Sequence, residues 1–175
     1  MDDHVTSVSD ILMVVPLYLP VGERRQGRIS STTLDPGAST PSKVVVDVGS
    51  TPEGPDHGPD VEIATRLWQR DTAPGQRDVR GLCGERDLME RRMRDPLSAQ
   101  SFSLPEDAAW SEETMTLDDL PHSATVLTTR QSWVAVVVLA EGFLVRVFVP
   151  APGPGPRELR RVAAAQELEP VRGRG

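Results

Sequence analysis

The chain has 175 residues, of which 38% are apolar, 26% charged and 4% aromatic. That length suits one domain, and that apolar share excludes a wholly disordered chain. Acids outnumber bases 26 to 19, giving a formal charge of −7, a sign that repels phosphate backbones and anionic membrane surfaces, so nucleic acid is not an expected partner.

Lys43 is the single lysine, the other bases are all arginine, and asparagine is absent. The pattern fits a GC-rich bacterial coding sequence, so the arginine bias is not read as selection for anion recognition. A lone cysteine, Cys83, excludes an intrachain disulfide framework and any multi-cysteine zinc site. Met1 is followed by Asp2, Asp3 and His4 instead of a basic segment, and the apolar run at 11–19 is broken by Pro16, which argues against a signal peptide. The longest apolar stretch, 133–149, contains Glu141, Gly142 and Arg146 and falls short of the roughly 20 residues that span a bilayer. The expectation is a cytoplasmic protein without a membrane span, an extracytoplasmic location following only if the sequence is a fragment.

In chain order, the run ILMVVPLYL at 11–19 reads as a strand that Pro16 places at an edge or a bulge. Residues 23–42 read as a polar loop, and KVVVDV at 43–48 as a second strand. The Pro- and Gly-punctuated segment 49–60 reads as an exposed loop. Residues 61–68 alternate, with Val61, Ile63, Thr65 and Leu67 on one face and Glu62, Ala64, Arg66 and Trp68 on the other. This favours a half-buried strand, with a helix as the alternative. After a loop at 69–81, ERDLMERRMR at 85–94 has helix formers and i,i+4 pairs Asp87/Arg91 and Glu90/Arg94, and Asp95-Pro96 should stop the helix.

Between 97 and 123 the pattern is ambiguous: 105–115 reads as a short acidic helix around Trp110, and 117–121 as a turn. The C-terminal third is the clearest. A strand over 124–129 precedes a hairpin whose arms are 133–139 and 143–149, turning at Glu141-Gly142. The first arm is apolar on both faces and should be covered on both, while Arg146 gives the second arm one polar position. After the breaker 150–156, Leu159, Val162, Ala163 and Gln166 fall at helical spacing, predicting a helix over 157–168 that packs on the hairpin. The tail 170–175 should fray.

The opening VPLYLPVG at 15–22 is similar to the entry strand of bacterial extracytoplasmic domains that follow membrane anchors in anti-sigma-factor-like and lipoprotein-like proteins. The hairpin at 133–149 with ELRRVA at 158–163 resembles their final hairpin and terminal helix. Together these stretches cover a quarter to a third of the chain. The resemblance implies a curved antiparallel sheet with a helix on it, a sensory or lipophilic-ligand-binding role, and no catalytic residues. The middle, 70–122, aligns with nothing in it.

Each candidate for chemistry has a plainer reading beside it. Cys83, between Leu82 and Gly84 ahead of a predicted helix, is a candidate thiol nucleophile, but it needs a base, and His4, His57 and His122 are distant in sequence. The groups Asp2/Asp3/His4, Asp56/His57/Asp60 and Asp118/Asp119/His122 carry metal-ligand chemistry without helical His spacing, and solvated loops account for them better. Arg24/Arg25/Arg28 and Arg91/Arg92/Arg94 are candidates to bind an anionic partner, but Glu85, Asp87, Glu90 and Asp95 largely neutralise the second group, for which a salt-bridged solvated face is the better reading. The prolines in 152–156 remove the amide donors a phosphate loop requires. Trp68, Trp110 and Trp133 read as packing residues, with Trp110 the one best moved to a partner surface.

The resulting expectation is one α+β domain over 1–169, with a curved antiparallel sheet of about five strands, a C-terminal helix on it and a small helical insertion near 85–115. Its function is read as non-catalytic: an interaction or regulatory protein that engages another protein or an apolar ligand through its sheet face or its Trp-bearing insertion. The partner-binding residues are Trp110, Trp68, Arg91 and Arg94, and neither metal nor cofactor is expected. A small thiol-dependent hydrolase using Cys83, and a subunit of a larger assembly, are the alternatives.

Overall fold

A computed structural model describes residues 7–49, 59–68, 76–94 and 104–169, with the backbone alone for helix residues 76–78 and 91–94. The described chain is mostly strand. Its order is α1 (Val8–Val14), β1 (Tyr18–Pro20), β2 (Gly27–Thr33), β3 (Lys43–Val48), β4 (Val61–Leu67), α2 (Gln76–Arg94), β5 (Ala109–Leu117), β6 (Leu120–Thr128), β7 (Trp133–Val138), β8 (Phe143–Val149), β9 (Glu158–Arg161), a 3₁₀ turn (Ala165–Glu167) and β10 (Leu168–Glu169). All ten strands join one sheet in the order β1-β9-β5-β6-β7-β8-β4-β3-β2-β10. It is mixed, since β5–β9 and β2–β10 run parallel and the other neighbours antiparallel. The five-stranded sheet with a helix packed at its end is therefore wrong: the sheet has ten strands and curls into a half-barrel.

The curl brings the two ends of the sheet together. A Cβ on Gly27 of β2 would lie 2.8 Å from Leu19 Cδ2 of β1 and 2.9 Å from Leu168 Cδ2 of β10, so the absent side chain lets the first and last strands approach. Inside the curl, Ala135 and Val137 of β7 and Val145 and Val147 of β8 pack with Ile63, Met115, Leu117, Trp133 and Leu159. A second cluster joins Leu19, Ile29, Val44, Val46, Val162 and Leu168 to Ile11 and Val15. On the outer face, Val134, Val136, Leu144 and Phe148 pack with Val79 and Cys83 of α2. The hairpin β7–β8 is covered on both faces, as its continuous apolar pattern requires.

Several elements depart from their sequence signals for identifiable reasons. The first apolar run splits at Pro16. Ser7 Oγ accepts from the Asp10 amide at 3.1 Å and Asp10 Oδ2 accepts from the Ser7 amide at 3.2 Å, a capping box that starts α1 where a strand was expected. The polar loop expected at 23–42 contains β2, whose side chains are exposed from Ser30 onward. The helix expected at 85–94 begins earlier, at Gln76. The acidic helix expected around Trp110 is strand β5, and the turn at 117–121 is tight: Asp118 and Asp119 take φ of 52° and 63°, the left-handed pair that closes a two-residue hairpin.

The C-terminal helix is also a correction. Glu158–Arg161 is β9, held on one side by β1 and on the other by β5, with Val21 N donating to Glu158 O at 3.0 Å and Asp118 N to Leu159 O at 2.9 Å. Ladder bonds to two neighbours outweigh the helical spacing of Leu159, Val162 and Ala163, and Ala163 is exposed. The "Glu-Leu-x-x-Val-Ala" helix implied by the resemblance falls with it. Loop residues 50–58 and 69–75, the helix stop at 95–96 and the tail 170–175 lie outside the described residues.

Candidate functional site

The candidate site is the seam where α2 packs on the outer face of β6, β7 and β8 and reaches Glu62 of β4. Register sets its chemistry. Across the sheet, Val45, Ala64, Arg146, Val136, Thr125 and Glu112 form one row, and Asp47, Glu62, Phe148, Val134, Leu127 and Trp110 the next. Charged side chains thus flank an apolar strip made by β6–β8.

α2 docks on this strip through Val79 and Cys83 and through a set of polar contacts. Arg86 lies 3.8 Å from the Phe148 ring centroid and makes a bidentate pair with Glu62, Nε to Oε1 at 3.0 Å and Nη2 to Oε2 at 2.9 Å. Glu90 reaches Arg86 at 3.5 Å, and Arg146 Nη2 donates to Glu62 at 3.4 Å. Burial, opposed by the Glu62 charge, pushes the Arg146 guanidinium below its ordinary pKa. Asp87 is fully buried and accepts from Ser132 Oγ at 2.6 Å and Thr129 Oγ1 at 3.3 Å, which ties the helix to the β6–β7 connection.

Two hollows flank the helix. On the β5 side a groove of about 510 Å³ is lined by Arg80, Gly81, Gly84, Leu88, Leu104 and Trp110, among others. Arg80 sits over the indole of Trp110, 5.1 Å from the ring centroid, a cation–π distance. On the β3–β4 side a smaller cavity of about 70 Å³ is lined by Lys43, Ala64, Arg66, Glu85, Leu144 and Arg146, with Leu82 and Met89.

The sequence-derived candidates scatter over this arrangement. Trp110 and Trp68 both pack, partly buried, on the cluster beneath α2, and Trp110 alone of the two lines a hollow described here. Arg91 and Arg94 lie in the last turns of α2, and their side chains are outside the described residues. Trp133 is core, packed under Gly155. Arg25 binds Glu23 and Asp60, and Arg28 approaches Asp47 at 3.9 Å. Asp118 and Asp119 form the β5–β6 turn. Among the described residues no three His, Cys, Asp or Glu side chains are grouped to hold a metal ion, and no helix is long and apolar enough to cross a membrane.

Cys83 is fully buried on the sheet-facing side of α2, its thiol donates to Thr125 O at 3.8 Å, and burial pushes its pKa up to about 12. A thiol so placed is protonated at neutral pH and closed to substrate, the reverse of an activated nucleophile. Among the described residues the one histidine, His122, stands three positions from Thr125 on β6, about 10 Å along the strand and on its other face.

The features that sequence reasoning missed are Arg80, which it placed in a loop, and the convergence of Lys43, Arg66 and Arg146. The alternation of Glu62, Ala64 and Arg66 on one face was visible, but the neighbours of that face depend on strand order. Compared with known proteins, the chain matches no family model and no curated protein.

Proposed function

We propose that the protein is a non-catalytic interaction protein that receives a segment of a protein partner in the groove between α2 and β5. The observation that carries this reading is the Arg80–Trp110 pair at the groove, since arginine and tryptophan are the side chains that most often dominate binding energy at interfaces. Two features support it. Met89 on the rim is 50% exposed, and among the described residues nothing beyond the helix's own backbone and the chain neighbours of Gly81 lies within 4 Å of where its Cβ would stand. A glycine inside a helix costs about 1 kcal/mol relative to alanine, and at Gly81 no close approach among the described residues offsets that cost. A bare helix backbone there lets a partner chain approach closely. The sheet is a weaker candidate, because the protein's own side chains fill the inner face and α2 covers the outer face of β7–β8.

The test is selection of displayed random peptides on the purified chain, followed by affinity measurement on variants. The expected result is one family of peptides with an apolar anchor and an acid for Arg80, lost in Trp110→Ala. In Gly81→Ala the same peptides should bind at least about tenfold more weakly while the protein melts higher, a divergence that a folding defect cannot produce. Failure to enrich a family, or equal binding to wild type and both variants, refutes the reading.

A further inference from the structure

We infer that the cavity between α2 and β3–β4–β8 is a binding site for a phosphate group, taken as the free ion or as the head of a phosphomonoester. It shares Glu85 and Met89 with the groove on the other flank of the helix, but its cations are its own and the inference does not rest on that groove. Three cations come to the cavity from three adjacent strands: Lys43 on β3, Arg66 on β4 and Arg146 on β8. Lys43 and Arg66 are direct cross-strand partners, an arrangement of like charges that is destabilising unless something neutralises it. Among the described residues no carboxylate lies within ion-pair distance of either one, although Glu85 lines the same cavity.

The floor is built to leave room. Ala64 stands opposite Arg146 in the register, and its methyl group leaves space where a longer side chain would fill the cavity. Arg146 is itself 8% exposed, and its Nε is buried with no hydrogen-bond partner. A buried donor without an acceptor costs free energy, so an orphan guanidinium N–H beside a cavity asks for an acceptor there. Leu82, Leu144 and Met89 form the apolar part of the wall, which lowers the local dielectric and strengthens charge pairing.

Size and charge select the ligand class. About 70 Å³ is room for roughly two waters at about 30 Å³ each, or for one small oxyanion. Glu62 engages Arg146 at 3.4 Å on one side, while Lys43 and Arg66 face only Glu85 within the lining, so the cavity keeps a net positive charge, and the several donors around it suit the multiple acceptor oxygens of a phosphate group better than a single carboxylate. Burial and the nearby Arg146 charge both depress the Lys43 ammonium, and a bound anion would relieve the second effect.

The experiment titrates inorganic phosphate into the full chain at constant ionic strength held with chloride. It reads the melting temperature and the nitrogen-15 NMR signal of the Arg146 Nε–H. Expected are a saturable rise in Tm and a shift of that signal over the same concentration range. Arg66→Gln and Lys43→Gln should each weaken phosphate binding at least about tenfold, the loss of one charge-assisted bond. Arg80→Gln, in the other hollow, should leave it unchanged. Arg66 is exposed at the mouth, so its variant folds even if Lys43→Gln does not. Phenyl phosphate distinguishes the sources: tighter binding than inorganic phosphate identifies a monoester head, weaker binding a free ion. A rise in Tm that never saturates, a silent Arg146 signal, or unchanged affinity in Arg66→Gln overturns the inference.

Discussion

Glu62→Gln should destabilise the protein far more than a near-isosteric change at a partly exposed position usually does. Glu62 is the shared acceptor of two guanidinium groups, Arg86 through a bidentate pair and Arg146 at 3.4 Å. The three side chains keep only 15%, 10% and 10% of their accessible surface. Glutamine preserves the shape and one acceptor oxygen but removes the charge. Arg86 then retains Glu90, whereas Arg146 loses the one carboxylate within ion-pair distance of it among the described residues. Breaking a buried pair from one side costs about 3–5 kcal/mol, and the residual exposure of this network argues for the lower end, about 3 kcal/mol. That is a large part of a typical domain stability of about 5–15 kcal/mol. Urea unfolding followed by tryptophan fluorescence should show a lowered midpoint with an unchanged slope. Adding Arg146→Met to Glu62→Gln should recover part of the loss, because the stranded cation is gone, and the double-mutant cycle measures that coupling. A loss below about 1 kcal/mol, or strict additivity in the cycle, would show that solvent screens this network like an ordinary surface pair and would refute the reasoning.

Gly27→Ala should cost about 1–3 kcal/mol, because its methyl would stand 2.8 Å from both Leu19 Cδ2 and Val46 Cγ1 where the two ends of the sheet meet; thermal unfolding measures it, and a neutral result would mean that the curl opens freely there. Cys83 supplies a pH signature. Its folded pKa is raised to about 12 from an ordinary value of 9.0, so the unfolded chain loses the thiol proton first. Its contribution is fully present below pH 9 and declines by about 1.4 kcal/mol per pH unit toward pH 12. Denaturation series at pH 8 to 10.5 should fall more steeply for wild type than for Cys83→Ala, and parallel slopes would refute the placement of the thiol. Iodoacetamide should label native Cys83 only at the rate of unfolding.

Strands were legible where one segment carries its own reason for being extended. Lys43–Val48, Val61–Leu67 and the two arms of the 133–149 hairpin are β-branched, alternating or apolar on both faces. What hid the others was pairing at a distance. β2 runs out of the core after the register shift between Ile29 and Ser31, so its Ser and Thr residues look like a loop. β5 exposes Ser111 and Glu112 and buries Met115 and Leu117, and its acids and Trp110 resemble a short helix until β6 is laid beside it. β9 exists because β1 and β5 leave a gap between them that a short strand fills. The site was hidden in the same way: Lys43, Arg66 and Arg146 are far apart in sequence, and only the strand order β8-β4-β3 puts them together.

The charges at the seam also explain how a helix of such polar sequence stays on the sheet. Among the described side chains of α2 the large apolar ones are few: Val79 and Cys83 are in the core, Leu82 and Leu88 are partly covered, and Met89 is half exposed. The helix is also held as a polar object, by Arg86 on Glu62 and Phe148 and by Asp87 on Ser132 and Thr129. Such contacts are directional, so they fix the rotation of the helix more tightly than an apolar stripe would. That rotation turns Arg80 onto Trp110 on one flank and Glu85 toward Lys43 and Arg66 on the other. The buried polar network therefore positions the side chains of both hollows, and a change that breaks it should disturb the binding surfaces together with stability.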